Sequence, residues 1–114
     1  MARKLLFLVL ALASCSKGPQ ADLPYISAAR SLAAEWAMVN EQAREGHLTD
    51  AYVQTVRAEV RKELQTNSQS LSDPKSAYGA EIGALVKEPD DAAPAELRAH
   101  SRKLKQIEDS LESA

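Results

Sequence analysis

Cysteine is nearly absent from this chain of 114 residues. It has one, Cys15, so no disulfide can form within a single chain and stability must come from packing. Aromatic side chains are also scarce, with one Trp, three Tyr and one Phe, and alanine supplies much of the apolar content. An alanine-lined face buries little area per residue. The domain is therefore expected to be marginally stable and to gain from association with a protein partner or a second copy.

Strand signals are missing as well. After residue 24 no segment alternates apolar and polar residues over several positions, and β-branched residues are sparse. An excess of positive charge is also absent, since the net charge is −2. General nucleic-acid binding relies on a positive field, so the composition argues against it. No nucleophile elbow or cofactor motif occurs, and we expect a protein that is not an enzyme and binds no cofactor.

The N-terminus carries the clearest pattern in the sequence. A short basic start at Arg3 and Lys4 precedes nine apolar residues, Leu5 to Ala13, and then Ser14 and Cys15. This order is typical of a secretory signal peptide with a small-residue cleavage site. The apolar run is too short for a transmembrane helix, which needs about 20 residues.

The tetrapeptide Leu12-Ala13-Ser14-Cys15 resembles the lipobox of bacterial lipoproteins. The resemblance implies cleavage after Ser14 and a diacylglycerol thioether on the sulfur of Cys15. Removal of residues 1–14 leaves 100 residues and moves the net charge to −4. The alternative is an incidental cysteine in an ordinary signal peptide or in an uncleaved anchor. Lipidation predicts a chain moored to the bacterial envelope, because two or more acyl chains bind a bilayer stably.

The residues that follow the anchor predict a short connection to a single domain. Residues 15–23 include Gly18 and Pro19 and are expected to form an irregular tether. Ser16, rather than an aspartate, resembles the outer-membrane sorting pattern of enteric bacteria, which would face the domain to the periplasm in a Gram-negative cell. Residues 24–114 are expected to form the folded domain.

Residues typical of helix starts and ends predict an all-α fold, a small antiparallel bundle of three to four helices. The first helix is expected from Pro24 to Glu45, with Asp22 as N-cap and Gly46 after its end. Thr49 is expected to cap the second helix. Asp73 is expected to cap the third, which Pro89 ends, and the fourth is expected from about residue 90 to Ser113.

The fourth helix carries a heptad pattern. Leu97, Leu104 and Leu111 share one position, and His100, Ile107 and Ala114 share the other. Such a seam can line a partner helix inside the domain or on another chain. Trp36 is either the largest part of the core or part of an exposed aromatic patch with Tyr25 or Tyr52. The residues predicted as a possible partner-binding face are Trp36, Leu97, His100, Leu104, Ile107 and Leu111.

The candidates for site chemistry are few. His47 and Asp50 lie three residues apart, but two ligands are too few for a zinc site, and no metal is expected. His100 is either a packing histidine or a pH-sensitive group, and a hydrogen-bonded constellation around either histidine would favour an enzyme.

Two surface motifs also have competing interpretations. The basic segment 98–105 either contacts anionic lipid or is a solvated face balanced by nearby acidic residues, and we favour the second. The pair Gly79 and Gly83 either marks helix pairing in a membrane or allows a close helix crossing within the bundle, and we favour the second.

Together these features predict a membrane-anchored envelope lipoprotein that acts as a non-enzymatic protein-interaction or scaffold module. The alternative is a module at the membrane surface that binds a small hydrophobic ligand or a lipid. Its pocket would lie between helices and be lined by Tyr78, Ile82, Leu85 and Trp36.

Overall fold

The computed structural model describes residues 19–114, and all four of its regular elements are helices. These are α1 (Pro19–Arg44), α2 (Asp50–Ser70), α3 (Ala77–Val86) and α4 (Pro94–Glu112). The described part of the chain contains no strand, which confirms the all-α prediction. The signal peptide, the lipobox-like tetrapeptide and Cys15 lie outside the described residues.

The central element of the bundle is α1. It packs against each of the other three helices, most extensively against α4. Its buried positions recur at helical spacing along its whole length, so α1 presents apolar side chains to several neighbours at once. These buried residues are Asp22, Ile26, Ala29, Leu32, Ala33, Trp36, Ala37, Val39 and Asn40.

Pairs of bonded side chains show that α1 and α4 run antiparallel. Between α1 and α4, Arg30 pairs with Glu108, whereas Glu41, further along α1, pairs with Arg98. Sequence numbers that rise on one helix and fall on the other require opposite directions. Leu97 and Leu104 of α4 are fully buried, and Ile107 and Leu111 pack against the same core. The heptad seam is therefore used inside the domain.

The first helix begins earlier than predicted. Residues 19–23, assigned to the tether, belong to α1, and Asp22 is not an N-cap but a buried residue inside the helix. Pro19 is compatible with the first helical position because the N–H that it lacks would have no partner there. The Gln20 side-chain amide donates to the Leu111 carbonyl at 3.1 Å, so contacts with the rest of the fold hold this turn in place.

The second and third helices differ from prediction in one boundary. Thr49 caps α2 as predicted, with its hydroxyl accepting from the Tyr52 N–H. The polar segment 66–70 forms the last turn of α2. The N-cap of α3 is Ser76 rather than Asp73, because residues 73–76 form a turn in which Ser76 N–H and Oγ both donate to the Asp73 carbonyl.

Glycines act at two positions, neither of which is a helix crossing. Gly46 follows α1 with φ +74°, the left-handed conformation that glycine adopts most readily. At Gly79 a Cβ atom would lie 2.2 Å from the Pro74 carbonyl oxygen, whereas at Gly83 it would meet nothing within 4 Å. The predicted close crossing at Gly79 and Gly83 is therefore wrong. Gly79 makes room for the turn that precedes its own helix.

Candidate functional site

The loop between α3 and α4, residues 87–93, is held by side chains of α1. The Trp36 indole N–H donates to the Asp90 carbonyl at 2.9 Å. The Asn40 amide donates to the same carbonyl at 3.1 Å and to the Ala92 carbonyl at 2.8 Å. Trp36 and Asn40 lie four residues apart, on one face of α1. These bonds keep residues 90–93 out of α4, which begins at Pro94 and not at the predicted acidic residues.

Arg61 of α2 completes this attachment. Its guanidinium donates to the carbonyls of Val86 at 2.7 Å and Glu88 at 2.6 Å, and lies 2.9 Å from the Asp90 carboxylate. A cation at these carbonyls satisfies backbone groups that the end of α3 leaves open. The guanidinium also lies over the Trp36 ring, 5.2 Å from its centre, a cation–π geometry. We call Trp36, Asn40 and Arg61 the loop clamp.

The loop brings Glu88 to His100, where four charged or titratable side chains meet. The His100 Nε2 atom lies 2.7 Å from a Glu88 carboxylate oxygen, and Nδ1 bonds to a carboxylate oxygen of Glu81 in α3. The other Glu81 oxygen lies 3.4 Å from the Lys103 ammonium. The side chains of His100, Glu81 and Glu88 are 16%, 11% and 20% exposed. We call these four residues the His100 cluster.

The two carboxylates favour the charged form of the ring. Burial disfavours the imidazolium, but the hydrogen bonds to Glu81 and Glu88 outweigh it and raise the pKa of His100 above its usual 6.5. With a proton on each nitrogen, the ring can donate to both carboxylates. The cluster is therefore suited to joining α3, the loop and α4 through charge-assisted hydrogen bonds.

A hydrogen-bonded constellation thus exists at His100, which was the feature that would favour an enzyme. Both ring nitrogens are engaged by carboxylates, so general acid or base chemistry would first have to displace one of them. Serine, threonine and cysteine side chains are not among its bonded partners. His47 is exposed and bonds to Gln42 and Glu45. Within residues 19–114 no group of three or more ligand side chains is arranged for a metal.

A second buried polar centre joins the start of α1 to the loop between α2 and α3. The Asp22 carboxylate accepts from the backbone N–H groups of Ser72 at 2.8 Å and Asp73 at 3.0 Å, and from the Tyr78 hydroxyl at 2.6 Å. Burial opposes its ionisation, yet these donors lower the pKa of Asp22 below 3.8. Burial and the same carboxylate raise the pKa of Tyr78 to about 12. We call this centre the Asp22 lock.

The side chains predicted as a partner-binding face lie mainly inside the domain. Trp36 is 1% exposed, and Leu97 and Leu104 are not exposed at all, so the structure assigns them to the core. Ile107 and Leu111 pack against that core at its edge. His100 belongs to the His100 cluster. The chain covers its heptad seam with its own α1, and direct contact of these buried side chains with a partner would require the bundle to open.

The predicted ligand pocket is also filled. Tyr78, Ile82, Leu85 and Trp36 are buried and pack in the same core cluster. An open groove lies instead between α1 and α2. Its walls combine small, apolar and charged side chains: Ala28, Ser31, Leu32, Glu59, Lys62, Glu63, Thr66 and Asn67.

The basic segment 98–105 is largely paired. Arg98 bonds to Glu41 at 3.0 Å, Lys103 lies 3.4 Å from Glu81, and Lys105 lies 2.9 Å from Asp109. Hydrogen bonding and the charge of Arg98 lower the pKa of Glu41, and Asp109 acts in the opposite direction on Lys105, raising its pKa. Two of the three acidic partners come from α1 and α3 rather than from α4 itself. This arrangement agrees with the interpretation of a balanced, solvated face.

The sequence analysis did not identify Glu81, Glu88, Asn40 or Arg61. A signal for Glu81 was available, since it shares the helical spacing of the buried residues Tyr78, Ile82 and Leu85. A carboxylate on an apolar stripe needs a partner, and His100 on the seam of α4 was one candidate. Asn40 also follows the apolar stripe of α1. Glu88 and Arg61 gave no comparable signal, because their roles depend on the path of the loop.

The described helices include none that is long and apolar enough to cross a membrane. Comparisons of the chain with known protein families, with curated proteins and with solved structures give no match.

Proposed function

We propose that this protein is exported, lipidated on Cys15 and moored to the bacterial envelope, where it acts as a protein-interaction or scaffold module. The observation that carries the proposal is the basic start, apolar run and Leu12-Ala13-Ser14-Cys15 tetrapeptide in register. The beginning of α1 at Pro19 supports a position close to the bilayer. Four residues beyond Cys15 extend at most about 14 Å, so lipidation there would hold the bundle against the membrane surface.

The polar sites support a structural role over a catalytic one. The loop clamp, the His100 cluster and the Asp22 lock each join two or more helices and use their hydrogen-bonding groups in doing so. A rigid helical body of this kind suits presentation of a fixed surface to another envelope protein. The residues expected to line a ligand pocket pack in the core instead, so we do not favour the ligand-binding alternative.

Lipidation is tested by intact-mass analysis of the protein from living bacterial cells. We expect loss of residues 1–14 and a mass increase from acyl chains on Cys15. The Cys15→Ser variant should keep the precursor mass, whereas the matched control Ser14→Ala, which preserves a small residue before the cysteine, should be processed normally. An unmodified thiol on a chain that retains residues 1–14 would refute the proposal.

Membrane sorting has its own test. In an enteric host, cell fractionation should find the wild-type protein in the outer membrane. The Ser16→Asp variant should move to the inner membrane, because only the residue after the anchor has changed. An identical distribution of both proteins would contradict the outer-membrane assignment while leaving lipidation intact.

The interaction role is tested by site-specific photocrosslinking in the native envelope. Met38 and Tyr52 are the most exposed large apolar side chains among the described residues, at 60% and 53%. Photoreactive residues at these two positions should yield adducts with one reproducible protein. The exposed Ser110 of α4 is the control position and should yield no such adduct. Absence of adducts at both Met38 and Tyr52 would count against a scaffold.

A further inference from the structure

His100 has more carboxylate partners than a neutral ring can serve. A neutral imidazole carries one N–H, and a doubly protonated ring carries two. Here Nδ1 meets Glu81 and Nε2 meets Glu88, both through carboxylate oxygens, which accept but do not donate when ionised. The neutral ring therefore leaves one carboxylate facing a nitrogen lone pair in a site that is largely closed to water. The number of protons on this ring decides whether both contacts form.

The charged groups around the ring come from every neighbouring element. From α3 comes Glu81 and from the following loop Glu88, whose carbonyl is bound by Arg61 of α2. Within α4, Lys103 lies one turn away and contacts Glu81. The interface of α1 with α4 carries two further pairs, Arg30–Glu108 and Glu41–Arg98, in which the charges already offset each other. The ring is thus the proton-dependent link between α3 and α4.

We propose that His100 is a pH-dependent latch, which holds α3 and its following loop on α4 while the ring carries two protons and loosens them when one is lost. The latch acts on the element that is easiest to move, since α3 is the shortest helix, with 10 residues. The remaining attachments of α3 are the Asp22 lock at its start, the core contacts of Ile82 and Leu85, and the Arg61 bonds to the Val86 and Glu88 carbonyls. Release therefore frees the Glu81 and Glu88 carboxylates from α4 and loosens this end of α3, which Arg61 still ties to α2.

The direction of the pH effect follows from the raised pKa of His100. Stabilisation by a group whose pKa rises on folding is complete below its unfolded pKa and is lost as the pH rises through the folded value. The latch is therefore closed below the usual histidine pKa of 6.5 and opens as the pH rises through the raised pKa of His100. This release distinguishes it from an ordinary exposed histidine, which has no contact to lose.

The first test is NMR spectroscopy of the histidine rings in the purified full chain, in detergent micelles. The chain has two histidines, so the variant His47→Gln assigns the remaining ring signals to His100. We expect the ¹⁵N shifts of the His100 ring to report loss of the second proton at a higher pH than those of free histidine. Loss of that proton at the same pH as in free histidine, or at a lower pH, would overturn the proposal.

The second test is amide hydrogen exchange across the same pH range, corrected for the intrinsic rate. We expect protection of residues 82–86 in α3 to fall at least about tenfold as His100 loses its proton, the effect of one charge-assisted hydrogen bond. Protection in α1 and α2 should change little. Protection in α3 that stays constant while the ring titrates would refute the latch.

Variants separate the latch from general destabilisation. Glu88→Gln keeps the shape and an acceptor oxygen but removes one charge, so both the ring titration and the loss of protection should move to lower pH together. His100→Gln should abolish the pH dependence, and His47→Gln should retain it. If His100→Gln fails to fold, the Glu88→Gln shift still decides, because a titration that moves without the exchange transition would overturn the proposal.

Discussion

Removal of the charge at Asp22 should destabilise the domain strongly. The variant Asp22→Asn keeps the size of a fully buried side chain but replaces one acceptor oxygen by an NH₂ donor, opposite the donors of Ser72, Asp73 and Tyr78. A hydrogen bond to a charged group contributes about 1.5–3 kcal/mol, and a buried donor left without a partner costs about 1–3 kcal/mol. We expect a loss of about 3 kcal/mol, a large share of the roughly 5–15 kcal/mol that stabilises a small domain.

Urea unfolding at neutral pH measures this loss, with circular dichroism for the helices and fluorescence of the single Trp36 for the core. Tyr78→Phe, which removes one donor and leaves the carboxylate with two, should cost about 1.5 kcal/mol, the lower end of that range. Asp91→Asn, at an exposed aspartate, is the matched control and should change little. A free energy of unfolding for Asp22→Asn within about 0.5 kcal/mol of the wild type would refute the reasoning.

The pH dependence of the same variant gives a second check. The pKa of Asp22 is lower in the folded state than its usual 3.8, so the stabilisation is present above that value and is lost as the pH falls through the folded value. The difference in stability between wild type and Asp22→Asn should therefore be constant near neutral pH and shrink in acid. A difference that grows in acid would contradict the assignment.

Two further substitutions probe the loop clamp and the turn before α3. Arg61→Lys should lower the free energy of unfolding by about 2 kcal/mol, because lysine cannot reproduce the planar set of donors to two carbonyls and one carboxylate. Thermal unfolding measures this loss, and Lys62→Arg is the control. Gly79→Ala should cost about 1–3 kcal/mol of stability, since its methyl group would meet the Pro74 carbonyl. Gly83→Ala should stabilise the domain by about 0.5–1 kcal/mol through helix propensity. Urea unfolding that finds Gly79→Ala more stable than Gly83→Ala would contradict both expectations.

The helices could be predicted because their signals are local. Gly46 after α1 and Thr49 before α2 act within a few residues, and the structure has both where they were expected. The buried positions of Leu97 and Leu104 likewise follow from spacing alone. Periodicity could not decide whether that seam packs against the same chain or against another chain. The answer depends on how α1 packs against α4, and the sequence of α4 alone does not determine that packing.

The errors at the helix starts have a shared physical cause. Asp22 and Asp73 both have the residue type preferred at an N-cap, so local rules assigned a cap to each. In the structure they meet through a hydrogen bond between the Asp22 carboxylate and the Asp73 N–H, 51 positions apart in sequence. This contact keeps the Asp22 turn helical and leaves Ser76 to cap α3. A distant partner thus overrode the local preference at both sites.

The Asp22 lock also sets how the domain would respond to mechanical load. If the chain is moored through Cys15, tension from the bilayer enters at the start of α1, one turn of helix before Asp22. Three hydrogen bonds there tie the pulled end to the segment that carries α3, so the load is divided between two helices before it reaches Ile26 and the core beyond. A domain anchored this close to its first helix would need extra stabilisation where the force is applied, and the buried Asp22 carboxylate supplies it.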